Sequence, residues 1–261
     1  MKWVGLIGCC LISSSILAQG YSDAAQSALA GSNVVSLMNG NQHLNPATIT
    51  QNKSKKFGLS QSLPYTLPEI RYNSLFFLYQ LKNNYIGVDY NHLSFDELLD
   101  HTISIIYAKK LNDKLSLGIK IRNNFIQIEQ HRYFKALPEI GFVYQFSKNI
   151  DLGSYWSQSQ SLLEFNKWQS SIISGVSFKK YKKLPIYISA QINSNAYLII
   201  NSGVEYKINN RFATRLAISS DNSYLSFGFY YKIKNIEIEG ANSLHKYLGM
   251  SPCLSLTYEI K

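Results

Sequence analysis

The side chains that could do chemistry here are few and scattered. Five histidines, His43, His92, His101, His131 and His245, are spread over 261 residues. A helical metalloprotease site needs two of them about four residues apart around a carboxylate, because that spacing puts both rings on one helix face. None is so placed. His92 and His101 flank a stretch holding Asp96, Glu97 and Asp100. That grouping lacks a metal-ligand spacing and reads as a solvated acidic loop. Serine is so common that no Ser–His pair stands out as nucleophile and base. A glycine-rich phosphate loop is missing from the sequence. Cys9 and Cys10 lie in an apolar leader, and Cys253 alone can form neither an internal disulfide nor a structural zinc site. The chain therefore reads as a non-enzyme, with no catalytic residue, no metal and no cofactor expected.

What the sequence does carry is a periodic pattern. In residues 114–130, Leu115, Leu117, Ile119 and Ile121 fall on one side of a strand. Ser116, Gly118, Lys120 and Arg122 fall on the other. A period of two with one apolar and one polar face is what a β-strand needs when lipid lies on one side and a polar lumen on the other. The pattern recurs near 55–63, 70–81, 84–95, 101–111, 114–130, 136–147, 150–158, 169–180, 184–193, 196–208, 211–220, 223–233, 236–243 and 252–260. This gives about fourteen strands, each near the roughly nine to eleven residues of a tilted membrane strand. The fold class is all-β: a transmembrane antiparallel barrel over residues 51–261, behind a short N-terminal helical plug segment.

The connections carry the topology. Leu81–Asn84, Leu111–Lys114, Phe146–Asn149, Ile208–Arg211 and Ile233–Ile236 are tight turns built mostly on Asn and Asp, which tolerate positive φ. Between them, 63–69, 94–100, 127–135, 157–168 and 243–251 read as longer polar loops. Short turns at one end and longer loops at the other are expected of outer-membrane barrels.

Composition and the ends agree. Tyr (19) and Phe (13) are abundant, as aromatic girdles at two membrane interfaces require. Mean hydropathy is slightly negative, because only every second wall residue needs to be apolar. The formal charge is +10. Its Lys pairs, 55–56, 109–110, 179–180 and 182–183, sit at strand ends or turns, a placement that fits anionic lipid head groups. Without a stacking platform or recognition helix, nucleic acid is excluded as a partner. Residues 1–18 read as a signal peptide: Met1-Lys2 starts positive, an apolar run follows, and Ala18 precedes Gln19. The run is too short for a membrane helix. Leu6-Ile7-Gly8-Cys9 looks like a lipobox but sits very early, and apolar residues continue past it.

Residues 19–50 differ from the rest. Ala24, Ala25, Ala28, Leu29 and Ala30 form a small helix-like run ended by Gly31, and Leu44-Asn45-Pro46-Ala47 follows an Asn/Gly turn. Together with Ala30-Gly31-Ser32-Asn33-Val34, this segment resembles the N-terminal signature of PorV/PorQ-type barrels, within the broader FadL-like class of outer-membrane proteins of Bacteroidetes. That family's Asn-Pro-Ala-Gly-Leu is matched by Asn45, Pro46 and Ala47, with Thr48 and Ile49 in the last two places. Leu248-Gly249-Met250-Ser251-Pro252 before the last strand is also similar. The resemblance implies a barrel of about fourteen strands with an N-terminal plug in a Gram-negative outer membrane. It makes Asn45, Pro46 and Ala47 the plug/lumen motif. FadL-like relatives move hydrophobic compounds; PorV-like relatives serve the type IX secretion machinery. The chain departs from the usual aromatic ending, finishing Tyr258-Glu259-Ile260-Lys261.

Two readings follow. A channel or binder for small hydrophobic compounds predicts an apolar lumen pocket beside Asn45–Ala47. A secretion accessory predicts a closed lumen and an exposed aromatic patch near Tyr155-Trp156 or Phe165–Trp168. Lys120, Arg122, Glu205, Lys207 and Asp89 are expected to face the lumen, where they satisfy one another or tune a pore.

Overall fold

The computed structural model describes residues 23–38, 44–160, 168–221 and 225–260. The leader at 1–18, His43 and Phe165 lie outside them. Among the described residues, fourteen antiparallel strands follow one another as neighbours and close into a barrel. They are β1 (Lys55–Ser62), β2 (Arg71–Leu81), β3 (Asn84–Phe95), β4 (Leu98–Lys110), β5 (Leu115–Ile128), β6 (His131–Ser147) and β7 (Ile150–Gln160). The second half adds β8 (Trp168–Phe178), β9 (Ile186–Asn193), β10 (Leu198–Lys207), β11 (Phe212–Ser219), β12 (Leu225–Ile233), β13 (Ile236–His245) and β14 (Gly249–Ile260). The first and last strands form the closing seam, from Lys55 opposite Ile260 to Ser62 opposite Cys253. Closure leaves no strand edge unpaired.

The alternation read from the sequence sets which face is which, and the apolar face points out. In β5, Leu117, Ile119 and Ile121 are 43%, 50% and 51% exposed, while Ser116 and Lys120 are 9% and 3% exposed. The same holds for Phe57 and Leu59 against Ser60 and Ser62, and for Leu254 and Leu256 against Ser255 and Thr257. A water-soluble sandwich would bury the apolar face. This wall exposes it, the arrangement a lipid environment stabilises. No helix among the described residues is long and apolar enough to cross a membrane.

Because β1 begins and β14 ends at the same rim, that rim is called the terminal rim here. The β2–β3, β4–β5, β6–β7, β8–β9, β10–β11 and β12–β13 connections lie on it. The tight Asn turns are all there. Asn112 Oδ1 accepts from the backbone N–H groups of Lys114 (2.9 Å) and Leu115 (2.8 Å). Asn209 Oδ1 does the same for Arg211 and Phe212.

At the far rim, three expected long loops are short. The β3–β4 link is Asp96-Glu97, the β5–β6 link is Glu129-Gln130, and the β13–β14 link is Lys246–Leu248. Asp96 and Glu129 hold φ of 50° and 53°, a conformation that Asp tolerates and Glu does not signal. The strands run on through what reads as loop, so β3 to β6 are among the longest in the wall. The acidic loop between the histidines dissolves accordingly. His92 and His101 are register partners with rings stacked 4.5 Å apart, while Asp100 accepts from Thr102 Oγ1 at 3.2 Å. No group of metal-ligating residues forms among the described residues. The longest fully described turn on the terminal rim, 179–185, joins β8 to β9. The difference in loop length between the two rims is therefore smaller than the sequence implies.

Replacing Asn112 by Ala removes the acceptor for two turn amides. The expected loss is about 1 kcal/mol, read as a lower urea midpoint with unchanged slope in unfolding followed by heat-modifiable gel migration.

Candidate functional site

The segment ahead of β1 lies inside the barrel. Helix α1 (Ala24–Ala28) is capped by Asp23, whose Oδ1 accepts from Gln26 N at 2.9 Å. Its alanines are small enough to lie flat on the wall. Ala24 N donates to Ser255 Oγ (2.8 Å), and Ser27 Oγ lies 2.8 Å from Ser243 Oγ. The chain then turns through Ala30 and Gly31, both at positive φ, and passes Val34 and Val35. It returns through a 3₁₀ turn, Pro46–Gln51, against β4, β5 and β6. Asn45, Pro46 and Ala47 are all buried there. Asn45 does two jobs: its Oδ1 accepts from Ala47 N at 3.0 Å, starting the turn, and its Nδ2 donates to Phe142 O at 2.8 Å on β6.

The wall receives this plug on glycines. A Cβ at Gly118 would come within 2.4 Å of Ala47 N, and one at Gly141 within 2.2 Å of Asn45 Oδ1. Gly153 and Gly175 make the same room for Val35 and Val34, Gly203 for Ser32 and Gly228 for Ala28. Any side chain at these inward positions displaces plug backbone or a small plug side chain. Apolar contacts fill the gaps between. Ile49 packs with Phe76, Leu78, Tyr85 and Ile106, and Leu37 leans on that group. Val34 and Leu44 pack with Tyr155 and Ile173. The apolar surface beside Asn45–Ala47 exists, but the plug itself occupies it. Tyr155 is part of this lumen packing, 5% exposed, and so cannot belong to an outer aromatic patch.

Charges line the rest of the lumen in opposed pairs. Arg215 is buried between two carboxylates, with Nε 2.7 Å from Glu205 Oε2 and Nη1 3.0 Å from Glu239 Oε1. Its Nη2 lies 3.8 Å from Met38 Sδ of the plug. Lys120 meets Glu139 at 2.7 Å, joined by Arg122 at 3.5 Å. Toward the terminal rim, Lys232 bridges Glu237 (2.8 Å) and Glu259 (3.0 Å), and Lys56 reaches Glu237 at 3.2 Å. Of the five lumen residues expected from the sequence, Lys120, Arg122 and Glu205 join these pairs. Asp89 faces inward and accepts from Asn91 at 2.8 Å. Lys207 stays half exposed, 3.5 Å from Glu205.

Sequence reasoning missed the partners Arg215, Glu139, Glu237 and Glu239. The signal was present in the turns. Counting outward from Asn210 as the centre of the turn sets Glu205 opposite Arg215, as observed. Lys120 opposite Glu139 and Lys232 opposite Glu237 are direct cross-strand pairs of the same kind.

No protein-family model and no curated protein matches the sequence. Solved structures match it closely in shape. The ΔS2S3 mutant of the monoaromatic hydrocarbon channel TodX superposes with a TM-score of 0.74 at 12% identity, covering 91% of this chain and 99% of that one. The toluene transporter TbuX of Ralstonia pickettii gives 0.70 at 11% identity, covering 92% and 98%. A FadL homologue of Pseudomonas aeruginosa gives 0.67 at 10% identity, covering 92% and 98%. The fold is that of the FadL-type channels. At these identities the shared property is the architecture of a FadL-type barrel, not a shared ligand.

Two outcomes follow from the seat. Gly118→Leu drives a side chain into the Pro46–Ala47 backbone. In a Cys253→Ala background, a cysteine at Ala47 should pass from maleimide-resistant to labelled, while the barrel still shifts on boiling. Arg215→Ala removes the buried cation between Glu205 and Glu239, leaving Glu205 only the half-exposed Lys207, and should lower unfolding stability by about 3–5 kcal/mol.

Proposed function

We propose that the protein is an outer-membrane channel of the FadL type, exported by a signal peptide at residues 1–18, that passes small hydrophobic compounds. Residues 19–50 act as its plug and 51–261 as its wall. The observation that carries this reading is the pairing of an outward apolar wall with a plug seated on wall glycines, in the fold of channels named for toluene and other monoaromatic hydrocarbons. The neighbours are channels and transporters, in keeping with a non-enzymatic role. Asn45, Pro46 and Ala47 hold the plug to β5 and β6 and are its positioning residues. The plug covers the apolar surface of the lumen, so a hydrophobic compound reaches that surface only as the plug yields it. The remaining lumen is polar and ion-paired, which does not favour a permanently open path for an apolar compound. The narrower PorV/PorQ placement, with a role as a type IX secretion accessory, has the short Asn45–Ala47 resemblance as its support.

Three measurements test this reading. In membrane fractionation the folded protein should sit in the outer-membrane fraction and migrate faster unboiled than boiled; a soluble periplasmic protein without a shift would sink the reading. In proteoliposomes the full chain should accelerate toluene entry over empty vesicles, and Gly118→Leu should change that rate. In planar bilayers the full chain should carry little steady ion current, while removal of residues 23–52 should open a steady conductance, because the uncovered lumen is polar. Equal toluene entry with and without protein would refute passage.

A further inference from the structure

The barrel's positive charge is gathered at one rim. Most of the chain's 26 Lys and Arg fall at the terminal rim. The turn β4–β5 is flanked by Lys109, Lys110 and Lys114, the turn β6–β7 holds Lys148, and the link β8–β9 holds Lys180, Lys182 and Lys183. The remaining turns on that rim bring Lys82, Arg211 and Lys234. The far rim mixes the two signs: the described turns β3–β4 and β5–β6 are Asp96-Glu97 and Glu129-Gln130, while Lys246 stands in the β13–β14 link and Arg132 follows Glu129-Gln130.

A second feature shares the basic rim. Just inside the lysines, outward-facing tyrosines repeat around the wall: Tyr107, Tyr144, Tyr206, Tyr231 and Tyr258 are 37–50% exposed. Lysine heads lie on aromatic faces there, Lys55 Nζ 4.9 Å from the Tyr79 ring centre and Lys180 Nζ 5.8 Å from that of Tyr181. An aromatic ring whose body is apolar and whose hydroxyl is polar settles at the head-group level of a bilayer. Cations one or two residues beyond it then stand at the phosphates.

We infer that the terminal rim is a binding surface for anionic phospholipid, with the tyrosine ring fixing its depth and the lysine crown holding the phosphates of one leaflet. The inference rests on the membrane-barrel reading above. It adds the lipid class and the leaflet: the rim where β1 begins and β14 ends belongs to the phospholipid side, and the far rim faces away. Lys114, Lys148, Lys182 and Lys183 lie on three successive turns and are exposed, so they form one sector that can be neutralised without touching the lumen pairs.

The test is lipid retention. The full chain is reconstituted into vesicles of equimolar phosphatidylglycerol and phosphatidylcholine, extracted gently, and weighed with its bound lipid by native mass spectrometry. Wild type should carry phosphatidylglycerol at about fivefold or more over phosphatidylcholine, a preference that falls as salt rises. The quadruple variant with Lys114, Lys148, Lys182 and Lys183 changed to Gln should lose most of it, and the same four changed to Arg should keep it. Equal retention of the two lipids, or a preference that survives the Gln changes, would overturn the inference. So would lysine-dependent capture of lipid A in preference to phosphatidylglycerol when both are offered. Heat-modifiable migration in pure phosphatidylcholine vesicles is the control. If the chain fails to fold there and in the mixed vesicles, the membrane-barrel reading has failed, not the lipid preference.

Discussion

Everything in this molecule depends on the closing of one hydrogen-bond ladder. Strand β1 pairs with β14 along its whole length, so every strand has two neighbours and no backbone edge faces outward. Without closure, the exposed apolar residues of the wall would sit beside unpaired amides, which hydrocarbon does not tolerate. With it, side-chain parity becomes absolute. Each residue faces either the outside or the lumen, and a shift of one register would turn the whole wall inside out. The apolar exterior and polar interior are the two halves of that one constraint.

A closed ring of fourteen strands encloses more space than wall side chains alone would fill, and the chain fills it in two chemically different ways. Where plug backbone meets wall, glycine removes the wall side chain so that the two chains touch. Elsewhere, charges oppose charges. Arg215 is the point where these strategies meet, because it neutralises two wall carboxylates and reaches the plug through Met38. Ion pairs sheltered from water are poor sources of net stability, yet losing one member leaves the other uncompensated. Such clusters fix the arrangement of the interior more than they strengthen it.

Much of the wall was legible in the sequence. Strand β3 falls at 84–95 in both the reading and the structure, because alternation and the preceding Asn turn mark both its ends. The far-rim turns were less legible: Glu129 adopts positive φ with no Asn, Asp or Gly to announce it, and Asp96 sits in a run of acidic residues that reads as a longer loop. The plug's existence could be read from its alanines and from Asn45-Pro46-Ala47, but its seat could not. Gly118 and Gly141 look like ordinary strand glycines until the segment they accommodate is placed against them. The pairing of Glu205 with Arg215 follows from counting outward once the turn is centred on Asn210, but Glu239 reaches Arg215 from two strands away and no such count finds it.

The plug's contacts also set an order of assembly. Helix α1 precedes every strand in the chain, yet it hydrogen-bonds to Ser243 on β13 and Ser255 on β14, the last strands in the sequence. The plug's later part, the Pro46–Gln51 turn, rests on β4 to β6. The inner segment must therefore wait for the whole polypeptide before half of its seat exists, and the β1–β14 seam closes around it. Like a cork set before the staves are hooped, it is captured by the final step of folding.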